Sequence, residues 1–203
     1  MDSRRERKKQ QTRRLISEVA LELFISQGYE QTTVAQIAAA ADVATKTFFN
    51  YFPSKEDVLL SDKGHYGSEI PVKVIAERHK DESIPDLLAR AYEASIGTYL
   101  ADGPGLDDPD KVGAYRELVM SVPALQAKAL QRAHQVQREV ATALLAAYPD
   151  KLDPVSAAAI VGAVAGAAQA ASLEVLARGE GDEKMWEAMR RAINIALYGL
   201  ENG

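Results

Sequence analysis

The chain has 203 residues, 47% hydrophobic and 26% charged, with no cysteine; this fits one ordinary globular domain or two small ones and excludes a disulfide framework, thiol catalysis and thiolate metal sites. Its net charge of −5 argues globally against a nucleic-acid partner, yet the first fourteen residues hold seven Lys or Arg against Asp2 and Glu6, leaving the rest of the chain at −10. A basic tip on an acidic body either turns one end toward a polyanion or is a solvated tail. The apolar stretch behind it, LISEVALELF, is interrupted by Ser17, Glu18 and Glu22, so neither a secretory segment nor a membrane span is expected there, and the chain is expected in the cytoplasm.

Helical patterns then follow one another. Leu15, Ile16, Val19, Ala20, Leu23 and Phe24 form one apolar stripe that ends at Gly28, a suitable C-terminal cap. Thr33-Val-Ala-Gln36 is a capping box that opens a short helix with Val34, Ile37, Ala38 and Ala41 inward, and Asp42-Val43 breaks it. A third helix runs from about Ala44 to Phe52, where Pro53 stops it, and Ser54-Lys-Glu-Asp57 is a second capping box starting a fourth. Three short helices with tight turns describe a helix-turn-helix unit.

Behind Lys63 the pattern predicts a helix interrupted near Gly67 and Pro71, then a clear one over IPDLLARAYEASIGTYL. The segment ADGPGLDDPD reads as a solvated turn-rich loop, since its Asp spacing lacks the calcium-loop pattern and the closing Glu. Helices are expected over 111–120, 123–147, 154–177 and 182–200. The one over 154–177 is apolar all round and is expected to be buried on both faces, with Gly162 and Gly166 allowing close backbone approach. With the amphipathic last helix it is expected to form a four-helix homodimer interface, drawing on Gly162, Gly166, Leu173, Met189, Ile193 and Leu197; which face of the 154–177 helix meets the partner stays open.

The stretch TKTFFNYF concentrates the chemistry. At 100° per residue Thr45, Lys46, Phe49 and Asn50 fall on one side of the third helix, and Phe48, Tyr51 and Phe52 on the other. Phe48 and Phe52 lock the helix down, while Thr45 and Lys46 sit on the exposed first turn, where a recognition helix reaches base edges. Asn50 and Lys55 are placed to hold phosphates, which fix register without reading sequence.

Arg13, Ile16, Ala20, Phe24, Gly28-Tyr29, Thr32-Thr33-Val34, Ile37-Ala38, Ala41, Val43, Thr47-Phe48-Phe49, Tyr51-Phe52 and Ser54-Lys55-Glu56 together resemble the DNA-binding domain of TetR-type bacterial regulators, over about residues 12–60. That resemblance implies an all-α fold: a basic flexible arm (1–11), a helix-turn-helix DNA-binding domain (12–58) and a helical ligand-binding and dimerisation domain (59–203). It also implies a homodimer on double-stranded DNA, with Thr45, Lys46 and Thr47 on bases and Thr33, Phe49, Asn50, Tyr51 and Lys55 on the backbone. Such proteins are usually repressors released by a small-molecule effector. Three positions depart from the pattern: Asp42 stands for the usual Gly, Ala44 for Ser, and Phe49 for Tyr. Asp tolerates a left-handed turn, whereas Ala44 loses a side-chain cap and Phe49 a hydroxyl.

A weaker resemblance, over YRELVMSVPALQAKALQRA, is to the C-terminal domain of mycofactocin-cluster regulators, which implies an acyl-CoA-like effector. Tyr92, Tyr99, Tyr115, Arg116 and His134 are polar tips on otherwise apolar helices and are the candidate effector contacts. No cofactor, metal or membrane partner is expected. His65, His79 and His134 share no ligand spacing, and no Gly-rich phosphate loop or nucleophile turn occurs. The alternative is a helical ligand-binding protein or enzyme without DNA binding.

Overall fold

The computed structural model describes residues 4–60, 67–102 and 109–200. Every regular element among them is a helix, as an all-α class requires: α1 Arg4–Gln27, α2 Val34–Ala40, α3 Thr45–Tyr51, α4 Asp57–Leu60, α5 Glu69–Ala76, α6 Ile84–Asp102, α7 Pro109–Ser121, α8 Pro123–Ala147, α9 Pro154–Ala177 and α10 Asp182–Tyr198. They form two compact units, one of residues 1–66 with 102–133, the other of 67–101 with 134–203. The division differs from a break near residue 58, because α7 and the first part of α8 pack into the head. The reading of residues 101–110 as a solvated loop falls largely outside the described residues.

In the first unit α1 buries Ile16, Ala20, Leu21 and Phe24. It closes at Gly28, whose φ of 89° is left-handed and costs a residue without Cβ nothing. Thr33 caps α2 by accepting from the Gln36 amide at 3.2 Å, while the Gln36 side chain accepts from the Thr33 amide at 2.7 Å. Between α2 and α3 the chain turns on Asp42, at φ 52°, the left-handed residue that the family pattern fills with Gly. Phe48 of α3 and Phe52 at its C-cap are fully buried in one core with residues of α1 and α2, and burial of each ring stabilises the head by about 2 to 3 kcal/mol. Leu125 of α8 completes this core, with Tyr115, Leu118 and Val119 of α7 packed beside it. A Lys128–Asp57 ion pair at 3.1 Å and a bond from Ser17 Oγ to the Val58 carbonyl at 3.0 Å tie the helices together. The basic N-terminus is not a separate arm from Arg4 onward: it is the first turns of α1.

The second unit has one core of Ile75, Leu87, Leu88, Ala91, Val140, Leu144, Tyr148, Ala157 and Val161, and a smaller cluster of Ile96, Val164, Ala168 and Ile193 flanked by Tyr92, Trp186, Met189 and Leu197. Pro71 lies in the first turn of α5 and does not break it, since an early helical position has no intrahelical N–H bond to lose. Asp153 caps α9 through the Val155 and Ser156 amides at 2.8 and 3.0 Å, with Pro154 as its first residue.

Helix α9 lies along α10 and buries Ala157, Val161, Val164, Ala168 and Val175. Its opposite face is open within the chain: Val155 is 77% and Leu173 45% exposed, and Ala159, Ala163, Gly166 and Ala170 are exposed as well. Burial on both faces is therefore not achieved by one copy. By length and hydropathy α9 is also apolar enough to cross a membrane. The apolar stripe of α10 is partly covered by the chain itself: Ile193 is buried and Met189 and Leu197 are half-buried beside it, while Ala196 is exposed. Of the six residues expected at a dimer interface, Gly162, Gly166 and Leu173 lie toward the open side of α9, whereas Ile193 is buried and Met189 and Leu197 are partly buried in the chain's own cluster.

Candidate nucleic-acid interface

Helix α3 presents its chemistry by elimination. With Phe48 and Phe52 committed to the core, the 100° step leaves Thr45, Lys46, Phe49 and Asn50 exposed and Thr47 half-buried. Phe49 is 52% exposed, a large ring facing solvent beside two polar side chains. It stands edge-on to Phe48 at 5.5 Å between centroids, which holds it upright. The N-cap Ala44 makes no side-chain bond, so the amides of the first turn are not occupied by a side-chain cap.

A shallow basic groove adjoins this face. Arg5, Lys8, Lys9 and Thr12 of α1 line one wall, Asn50 and Tyr51 of α3 the other. Three cations opposite an amide and a phenol suit a chain of phosphates, whose contacts position rather than specify. Sequence reasoning noted the basic run but not this pairing with α3. The signal was there in the spacing of Arg5, Lys8, Lys9 and Thr12, which share one helical face once α1 is known to begin at Arg4.

Two residues named for the DNA backbone are engaged inside the head. Lys55 Nζ donates to the Tyr29 and Thr32 carbonyls at 2.9 and 3.2 Å and lies 3.8 Å from the centre of the Tyr29 ring. It therefore closes the turn between α1 and α2. Beside it Tyr29 donates to Glu56 at 2.5 Å; burial, first, and the neighbouring carboxylate both push the phenol pKa up. Thr33 Oγ1 is part of the α2 cap and donates to Gln36 Oε1 at 2.9 Å.

The candidate effector residues are divided between the units. Tyr115 and Arg116 belong to the first, where the Tyr115 ring packs on the head core and its hydroxyl faces the Leu59 carbonyl at 3.4 Å. Tyr92 and His134 belong to the second. Tyr92 is wedged between the two clusters there, and burial raises its pKa to about 12; His134 is exposed. The side chain of Tyr99 lies outside the described residues.

The family model for bacterial regulatory proteins, tetR family, matches residues 16–61, the stretch that contains α2, α3 and the buried face of α1. The chain is 35% identical over 151 residues to the transcriptional regulator TcmR of Streptomyces glaucescens, taking in 73% of this chain and 66% of that one. It is 39% identical over 61 residues to the mycofactocin biosynthesis regulator MftR of Mycobacterium tuberculosis, 30% of this chain and 31% of the relative. The chain thus spans just under two thirds of the first of these and about a third of the second. Among solved structures it resembles the TetR-family repressor FadR of Thermus thermophilus in complex with lauroyl-CoA, at TM-score 0.51 and 25% identity, over 93% of this chain and 94% of that one. These relatives are regulators by name, which sets the enzyme alternative aside. With a matching head and a matching helical body, the chain belongs to the TetR family of bacterial regulatory proteins.

Proposed function

We propose that the protein is a transcriptional repressor that binds a palindromic operator as a homodimer in the cytoplasm and is released by a small, partly apolar effector. The observation that carries this reading is the outward face of α3, where Thr45, Lys46, Phe49 and Asn50 stand exposed while Phe48 and Phe52 are fully buried. Thr45, Lys46 and Thr47 read base edges, and Phe49 presses on sugar or a thymine methyl. Asn50 and Tyr51, with Arg5, Lys8 and Lys9 across the groove, hold phosphates. The open α9 face takes a second copy rather than lipid: Ala159, Gly162, Ala163, Gly166 and Ala170 let two helices approach closely, with Val155 and Leu173 at the ends. Acyl-CoA thioesters are the leading effector class, supported by the lauroyl-CoA complex of the Thermus thermophilus FadR and by the apolar surroundings of Tyr92.

The test is fluorescence anisotropy with a duplex from the DNA upstream of the coding region and a scrambled duplex of equal length, followed by titration with lauroyl-CoA. A preference of roughly 1,000-fold or more for one duplex is expected, with release on adding the thioester. Equal binding to both duplexes removes the operator reading. Operator binding that no thioester reverses removes the effector class alone.

A further inference from the structure

We infer that Arg13 is a positioning residue that sets the tilt of α3 and, through it, the sequence preference of the head, without touching DNA; this rests on the operator binding proposed above. Arg13 belongs to α1, yet its Nη1 donates to the carbonyl of Tyr51, the last residue of α3, at 2.9 Å. Its guanidinium carbon lies 4.5 Å from the centre of the Phe52 ring. The side chain is half-buried and directed inward.

Helix α3 needs such an anchor. It has seven residues, its N-cap Ala44 offers no side-chain bond, and its C-cap Phe52 is extended at φ −135° and ψ 120°. No left-handed residue folds back on its last carbonyls as in a glycine-terminated helix. Phe48 and Phe52 decide which face is buried, but apolar packing is not directional. A charged donor on a terminal carbonyl is directional, and its charge complements the negative end of the helix. The guanidinium plane covers Phe52 at the same time, a combination that an ammonium cannot reproduce.

Thr45 and Lys46 occupy the far end of the same helix, about 9 Å from the anchored carbonyl at 1.5 Å per residue. A tilt of about 10° around that carbonyl moves them by roughly 1.5 Å, enough to lengthen a base-edge hydrogen bond beyond its working range. Loss of the anchor therefore blurs discrimination more than it weakens general attraction to DNA.

Full-length Arg13→Met and Arg13→Lys separate the possibilities. In Arg13→Met, backbone amide exchange across residues 45–51 of the free protein is expected to rise while α2 is unchanged. The ratio of operator to random-duplex affinity is expected to fall about tenfold, with an unchanged dependence on salt. Arg13→Lys recovers part of the ratio. Equal loss on both duplexes with a salt slope shallower by about one unit makes Arg13 a phosphate contact and overturns the inference. Unchanged exchange with an unchanged ratio overturns it too. If the unaltered protein prefers no duplex, the operator reading fails, and the exchange data still decide whether Arg13 restrains α3.

Discussion

Lys46 and Lys55 show how far a single residue can be read before its surroundings are known. Both are cations near α3, and the family resemblance points both at DNA. Lys46 is exposed on the first turn, whereas Lys55 bridges two carbonyls and covers Tyr29. Helical periodicity fixes the direction of Lys46; Lys55 lies in the irregular stretch before α4, where no period applies. Lys46→Ala is therefore expected to cost about 1 to 3 kcal/mol on the operator and to relax preference at one position per half-site, measured by anisotropy on single-base operator variants. An equal loss on random DNA moves Lys46 to the phosphate class. In the second unit, Glu82 takes two bonds from Arg90 at 2.8 Å and one from the His79 amide at 3.0 Å. These, the Arg90 bonds foremost, pull its pKa down to about 2. A carboxylate lowered on folding contributes stability above its unfolded pKa of about 4.3 and loses it as pH falls toward the folded value. The melting temperature of Glu82→Gln should thus lie below that of the unaltered protein at pH 7, and the gap should close between about pH 4.3 and pH 2; a gap constant with pH means that the ion pair does not carry it.

Among the elements, those with caps were the most legible. The Thr33 box, the left-handed Asp42 and the stop at Pro53 bound α2 and α3 as local chemistry demands. Two elements were not legible, for different reasons. The start of α1 was hidden because its first turns are charged on every side and carry no apolar stripe. The role of α10 is not fixed by its sequence, because an amphipathic stripe says only that a face is covered, not whether its own chain or another covers it. The groove that α1 makes with α3 gives a cleaner test than deletion. Replacing Arg5, Lys8 and Lys9 together with Gln keeps good helix formers in place, and should make the salt dependence of binding shallower by roughly two to three units on any duplex. An unchanged slope returns the basic run to a solvated role.

At the scale of the whole molecule, two recognition helices must stand about 34 Å apart, or a multiple of a helical turn, to enter successive major grooves on one face of a palindrome. The second copy needed for that is what the open α9 face is proposed to bind. Gly166 makes the proposal measurable, because a Cβ placed there meets nothing within 4 Å in the single chain. Gly166→Leu should leave the fold intact, with helix propensity improved by about 1 kcal/mol, and should weaken the dimer. Sedimentation and operator binding on the same sample check this: a variant that stays dimeric and binds normally moves the interface elsewhere. A face of alanines and glycines left bare in each copy has a further outcome at the low abundance of a regulator. Where the concentration of chains lies well below the dissociation constant of the proposed pair, nearly all chains are single and the paired form increases as the square of the total. Doubling synthesis then increases the proposed DNA-competent pair about fourfold, so that the proposed repression would respond to copy number more steeply than in proportion before any effector is present.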